Sequence, residues 1–263
     1  MVRDEDISEF VALTNCPRQI ARKFLANNHG ALDYALNDFY DTCHGSYCTE
    51  TRQVSNKLLN LLERYTSTDG HGGILTDGLI QFVSDLGLEL EDPLTLCLAH
   101  TMDCTSFHEP ISGDQFIESW SIQTCETLED IRNRLEDQEK KLKFDVEYLE
   151  TIYQYAFGLI VDPGQKSVSI ETAQEYWNIF FDNEGQGKKK YAINPSKDIL
   201  SKWFSYLKAC GCQSINRDVW QMFFKFVKKY PTTQTLKESY SELDAWPLVI
   251  DEFYEYLEGQ SVF

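Results

Sequence analysis

Eight cysteines and five histidines are the side chains most able to perform covalent catalysis or hold a metal ion in this chain. The only tight cysteine spacing is Cys210-Gly-Cys212, and no paired C-x-x-C set is present to bind zinc, which argues against a RING-type ligase. The histidines lie in predicted turns or at helix ends, without a signature around a nucleophile. The sequence therefore predicts no catalytic residue, cofactor or metal and favours a binding or scaffolding role.

A glycine-rich segment, "TSTDGHGGILT", is at first sight a calcium loop. If Gly72 is its sharp-turn glycine, the ligand positions fall on Ser67, Asp69, His71 and Gly78. A single carboxylate cannot hold calcium, and Gly78 stands where a bidentate glutamate is needed. We therefore expect EF-hand-like architecture without an ion. A calcium titration would test the alternative, a calcium-responsive adaptor.

An acidic row accompanies an apolar stripe in "DAWPLVIDEFYEYL", residues 244–257. Pro247 suits the first turn of a helix, which predicts that a helix begins there. Helical spacing puts the apolar residues on one stripe: Trp246, Val249, Ile250, Phe253 and Leu257. Asp251 and Glu255 then share the outer face, beside the small Ala245. From these residues alone, the simplest interpretation is a solvated acidic face over a buried stripe.

The overall charge narrows the class of partner. The 263 residues carry 24 Lys and Arg against 42 Asp and Glu, a net charge of −18, which repels nucleic acids and anionic lipids and favours basic protein partners. No apolar run is long enough to span a bilayer. The first residues, "MVRDEDISEF", lack the features of a signal peptide, so we expect a cytoplasmic or nuclear location with reduced thiols.

Two helical regions are separated by a polar segment. Residues 5–42 carry three short amphipathic patterns interrupted by "TNCP" and "NNHG", which predicts a three-helix domain. Residues 43–55 have no helical period and predict a linker. Residues 56–259 show further helical patterns and no strand period, and the highly charged segment "TLEDIRNRLEDQEKKL" predicts an exposed helix. We predict an all-α protein, a small three-helix domain followed by a larger helical domain with EF-hand-like units.

Several motifs resemble known families. The N-terminal pattern, especially "ALDYALNDFYD", resembles a UBA-like domain in which Thr14, Asn15 and Cys16 replace the usual first loop. The second domain resembles the cullin-neddylation (PONY) domain in "LEDPLTLCLAH", "YQYAFGLIVDPGQK", "EYWNIFF", "INRDVW", "KKYPT" and "DAWPLVIDEFYE". The whole chain is similar to fungal defective-in-cullin-neddylation proteins. This resemblance implies a scaffold-type ligase (co-ligase) that promotes transfer of a Nedd/Rub ubiquitin-like modifier from its conjugating enzyme to a cullin lysine.

The resemblance also implies two contact surfaces. Asp218, Ala245 and Asp251 would bind the cullin's C-terminal winged-helix region. An apolar pocket would accept the acetylated N-terminal methionine of the conjugating enzyme, lined by Leu79, Thr95, Leu98, His108, Tyr176 and Ile179. Acetylation removes a charge, so such a pocket need not bury an ammonium ion.

The resemblance leaves some roles open. The attacking lysine, the thioester and the RING subunit belong to partners, so the chain would assist catalysis without catalytic residues of its own. The UBA-like domain could bind ubiquitin or serve only as a spacer. The alternative function is therefore a ubiquitin-binding or EF-hand-like adaptor without ligase-stimulating activity.

Overall fold

The computed structural model describes residues 3–14, 16, 18–43, 54–66, 73–89, 92–106, 109–181, 191–241 and 243–260. Within these ranges the chain forms fourteen α-helices and four short β-strands. The predicted all-α class is confirmed. No helix in the described part of the chain combines the length and the apolar character needed to cross a membrane.

The N-terminal region forms three helices around its own small core. They are α1 (Asp4–Thr14), α2 (Arg18–Asn27) and α3 (Leu32–Cys43). The rings of Phe10 and Phe24 each meet Phe39 edge to face, at 5.5 and 5.3 Å between centroids. Thr14 is buried and its hydroxyl donates to the Phe10 carbonyl, so the first loop begins by packing inward.

Two helix-loop-helix units follow, joined through their loops. They comprise α4 (Asn56–Tyr65), β1 (Gly73–Ile74), α5 (Thr76–Leu86), α6 (Pro93–Thr101), β2 (Ile111–Ser112) and α7 (Gly113–Ile122). Strands β1 and β2 pair antiparallel, with Ile74 opposite Ile111. The helix-loop-helix units have the EF-hand-like shape predicted from the sequence, whereas the pairing of their loops was not predicted. The suggested calcium positions at 67, 69 and 71 lie outside the described residues.

The remaining helices build the larger part of the core. They are α8 (Leu128–Phe144), α9 (Val146–Ile160), α10 (Ile170–Phe181), α11 (Lys197–Ala209), α12 (Arg217–Lys229), α13 (Thr233–Ser239) and α14 (Leu248–Gly259). Strands β3 (Ser167–Ser169) and β4 (Ser214–Asn216) pair antiparallel, with Val168 opposite Ile215. The loops before α10 and α12 are thereby joined, as in the first pair of units.

Buried aromatic residues tie α9, α10 and α12 together. The Tyr153 hydroxyl accepts a hydrogen bond from Trp177 Nε1 and donates to the Trp220 carbonyl, both at 2.8 Å. Trp220 Nε1 donates in turn to the Tyr153 carbonyl at 3.0 Å. All three side chains are fully buried, so their polar atoms are satisfied inside the core. Helix α14 is attached to this body through Phe253, whose ring packs on Trp203 at 5.2 Å.

Three details differ from the sequence predictions. The four strands were missed because segments of two or three residues are too short to show a two-residue period. Helix α13, between α12 and α14, has only seven residues and buries only Leu236, too little for a helical period to show in the sequence. Helix α8 is not simply solvated: Ile131, Leu135 and Leu142 face the core beneath its charged surface.

The N-terminal helices contact the second domain. Arg22 of α2 forms an ion pair with Asp103, which follows α6 in the left-handed backbone region at φ 56°. Most of the predicted linker, residues 44–53, lies outside the described residues. No sequence pattern indicated the Arg22–Asp103 contact, because the two residues are 81 positions apart.

Candidate functional site

The turn that carries Ala245 is anchored from the inside. The Asp244 carboxylate accepts from Lys229 Nζ at 2.5 Å and from the Tyr230 hydroxyl at 2.9 Å. These two donors hold the pKa of Asp244 below its usual range. The Trp246 ring packs against Phe226 at 5.7 Å, and Ala245 between these anchors is exposed. Ala245 is therefore exposed between two neighbours that are fixed to the core.

Asp251 is less solvated than the sequence suggested. It lies in the first turn of α14, which begins after Pro247 as predicted. The Tyr240 hydroxyl donates to Asp251 Oδ1 at 2.5 Å, and the Tyr240 ring stacks on Tyr254 at 3.8 Å. Asp251 is consequently half-buried, whereas Glu255, one turn later, is exposed. The expectation that both acids point freely outward was correct for Glu255 only.

The apolar stripe of α14 is confirmed. Ile250, Phe253 and Leu257 are fully buried, and Trp246 and Val249 pack against the core from its edge. Because this stripe faces the core, the opposite face of α14 is turned toward the surface.

Asp218 lies at the opposite end of α12 from the Asp244 anchor. It is exposed in the first turn of α12, where the Asn216 side chain caps the helix by accepting from the Val219 N–H at 2.9 Å. A carboxylate at this end also interacts favourably with the helix dipole. Asp251, by contrast, bonds to Tyr240, whose ring lies 6.1 Å from that of Tyr230 just beyond the last turn of α12. Of the three predicted cullin-contact residues, Asp218 therefore lies at the start of α12. Asp244, beside Ala245, and Tyr240, the partner of Asp251, both contact Tyr230 just beyond the end of that helix.

The residues of the predicted acetyl-methionine pocket are spread over three helices. Leu98 is 1% exposed and Thr95 is 8% exposed, so both α6 side chains are buried in the core of the domain. The Thr95 hydroxyl donates a hydrogen bond to the Glu89 carbonyl at 2.7 Å. Leu79 on α5, and Tyr176 and Ile179 on α10, are partly buried. His108 lies outside the described residues.

Two cavities in the described part of the chain lie elsewhere. One of about 330 Å³ is lined by residues that include Arg18 and Glu118, and one of about 370 Å³ by residues that include Arg22 and His100. Both lie where α2 meets the second domain, and none of the five predicted pocket residues that the structure describes lines either one. The acetyl-methionine pocket remains a prediction.

The buried cysteines are poor nucleophiles. Burial raises the pKa of the Cys97 and Cys104 thiols to about 12 and also raises the pKa of Cys125. The thiolate is the reactive form, so at neutral pH these side chains cannot readily accept a thioester. Among the described residues, no group of three or more metal-ligating side chains could hold an ion.

Sequence reasoning missed the residues that position the surface around α14. Tyr240, Asp244 and Lys229 carry no motif of their own, and their roles depend on contacts across separate elements. The one available signal was composition, since tyrosines and acids recur through residues 230–256.

The fold defines a class, a helical protein with an N-terminal three-helix unit and a larger domain of helix-loop-helix units. A family model for UBA-like domains matches residues 4–45, and one for cullin binding matches residues 130–256. The chain belongs to the defective-in-cullin-neddylation family. It is 36% identical to "Defective in cullin neddylation protein 1" of Saccharomyces cerevisiae, over 97% of this chain and 94% of that protein. It is 38% identical to the protein of that name from Eremothecium gossypii, over 98% of this chain and 96% of the relative.

Proposed function

We propose that this protein is a scaffold-type ligase (co-ligase) in cullin neddylation. The observation that carries the proposal is similarity to defective-in-cullin-neddylation proteins along nearly the whole chain, together with the cullin-binding match over residues 130–256. The protein binds a cullin and promotes transfer of a Nedd/Rub-type modifier to a cullin lysine. A net charge of −18 favours a basic partner surface.

The cullin contact is assigned to the surface of Asp218, Ala245 and Asp251. The contacted part of the cullin is its C-terminal winged-helix region. Asp218 and Asp251 supply negative charge, and the small side chain of exposed Ala245 permits close approach. Because Asp244 and Trp246 hold the turn in place, little conformational entropy is lost there on binding.

The rate gain comes from proximity. With the cullin at α12 and α14 and the acetylated N-terminus of the loaded conjugating enzyme at the pocket of α5, α6 and α10, a diffusional encounter becomes an effectively intramolecular one. The cullin lysine attacks the thioester carbonyl, an isopeptide bond forms, and the conjugating enzyme's thiol leaves. The RING subunit acts on the same assembly without a dedicated site on this chain.

A reconstituted discharge assay tests this function. Loaded conjugating enzyme, cullin and RING subunit are mixed with and without the protein, and modified cullin is measured over time. We expect residues 56–263 to retain most of the stimulation, because both assigned surfaces lie there. Removing residues 1–55 breaks the Arg22–Asp103 ion pair, and partly exposed pairs contribute only about 0 to 1 kcal/mol each.

Loss of most stimulation on removing residues 1–55 would contradict the sufficiency of residues 56–263. Absence of stimulation by the full chain would favour the ubiquitin-binding alternative. Leu13 and Tyr34 on the UBA-like unit are 55% and 71% exposed, which leaves apolar surface for ubiquitin. A reductant-sensitive bond between the modifier and this chain would contradict the scaffold mechanism.

The pocket is tested with a peptide from the conjugating enzyme's N-terminus. We expect the acetylated peptide to bind about tenfold more tightly or better than the free amine, because the latter must desolvate an ammonium ion. Tyr176→Ala should weaken binding of the acetylated peptide. The matched control is Asn178→Ala, because Asn178 is exposed on the same helix. Calorimetry beside a melting curve measures both. Equal binding of the two peptides would contradict the assignment.

A further inference from the structure

Two leucines beside the assigned cullin surface are exposed. Leu243 is 96% exposed and Leu248 71%, and they bracket Ala245 within six residues of chain. Single exposed apolar residues are common and need no explanation. Leu243 and Leu248, by contrast, lie on either side of Ala245 in the chain and add apolar surface next to an assigned contact residue.

The turn between them is preorganised. Asp244 accepts from Lys229 and Tyr230, the Trp246 N–H donates to the Asp244 carbonyl at 3.0 Å, and the Asp244 N–H donates to the Ser241 carbonyl at 3.1 Å. Leu248 is the first residue of α14. These hydrogen bonds hold the backbone at Asp244 and Trp246, between the two exposed leucines, so that part of the turn need not be ordered on binding.

Charge lies directly beside this apolar surface. Asp251 is three residues beyond Leu248, and the Tyr240 hydroxyl orients its carboxylate. A chain with a net charge of −18 disfavours a second copy of itself on this surface, since like charges would meet. The complementary occupant is basic and also carries apolar side chains.

We propose that Leu243 and Leu248 are apolar anchors of the cullin contact, flanking Ala245, and that they bind a segment of the cullin's C-terminal region that presents both basic and apolar side chains. This inference rests on the proposed function. In this arrangement the acids steer the partner and set orientation, while the leucines supply apolar area that is buried beside Ala245 on binding.

The test uses the full chain with Leu243→Gln, Leu248→Gln and both together. Phe144→Gln is the matched control, because Phe144 is 84% exposed at the junction of α8 and α9. Each variant is titrated calorimetrically with the cullin C-terminal domain at two salt concentrations, beside a melting curve and sedimentation of the free protein. We expect each leucine variant to bind about tenfold more weakly, a loss of about 1.4 kcal/mol. The salt dependence and melting temperature should match those of the wild type, and Phe144→Gln should bind normally.

The outcomes separate this inference from the proposed function. If the wild-type protein does not bind the cullin domain, the proposed function fails. If the wild type binds and Ala245→Arg abolishes binding while both leucine variants bind normally, only the leucine assignment is overturned. Concentration-dependent self-association that disappears in the leucine variants would assign the surface to a second copy and overturn the inference in the same way.

Discussion

Ala245→Arg is expected to abolish cullin binding while leaving the melting temperature nearly unchanged. Ala245 is exposed, and the turn is held by Asp244 and Trp246, so the longer side chain can extend into solvent without displacing core atoms. Exposed substitutions of this kind usually change stability within about ±0.5 kcal/mol. On binding, however, the arginine places bulk and a like charge against a basic partner, and disrupting a desolvated charged contact typically costs about 2 to 5 kcal/mol.

The same measurement separates a docking surface from an ordinary helix face. Cullin C-terminal domain is titrated into each variant by calorimetry, with Glu255→Arg as the control for charge reversal on the exposed face of α14. Asp251→Arg should also lose binding, but with a lower melting temperature, because it removes the hydrogen bond from Tyr240. Wild-type affinity in folded Ala245→Arg would show that the acidic row is only a solvated face.

The different melting temperatures expected for Ala245→Arg and Asp251→Arg depend on contacts that the sequence predicts only in part. Helical spacing predicted the buried stripe of α14, because burial of one face follows from a period of 3.6 residues. It could not predict that Tyr240, eleven residues earlier, would cover Asp251, because that contact depends on the path of the chain between α13 and α14. Nor could it find the Asp244 anchor, whose partners Lys229 and Tyr230 lie at the end of α12.

The same limit applies to the predicted pocket. Leu98 has the residue type and spacing expected of a pocket residue and equally of a core residue, and the structure places it in the core at 1% exposure. Partly buried Leu79, Tyr176 and Ile179 remain accessible candidates. Sequence pattern identifies which residues face inward, but the shape of a pocket depends on how separate helices pack.

Gly78→Ala is expected to lower stability more than a typical surface change and to disturb the pocket side of the molecule. A Cβ at Gly78 would lie 2.0 Å from the Tyr65 carbonyl oxygen, a backbone atom that cannot move unless the end of α4 moves. That end is itself restrained, because the Tyr65 hydroxyl donates to Asp85 at 2.8 Å and its ring packs on Phe82 at 5.0 Å. Overpacking of this kind typically costs about 1 to 3 kcal/mol, and here the obstacle is backbone.

The matched control is Gly158→Ala in the interior of α9, where an added Cβ has nothing within 4 Å. Alanine favours a helix over glycine by about 1 kcal/mol, so this variant should be as stable as the wild type or more stable. In a chain of this size, about 1 kcal/mol shifts the melting temperature by roughly 2 to 4 °C, so calorimetric melting curves resolve the two variants. Equal stability of Gly78→Ala and the wild type would show that α4 and α5 can separate freely where they cross.

If they cannot separate freely, the added Cβ should shift the start of α5 and with it Leu79. Gly78→Ala should then weaken binding of the acetylated peptide and leave cullin binding at Ala245 intact. The glycine at this position therefore serves helix packing, which explains why a calcium-binding glutamate could not stand there.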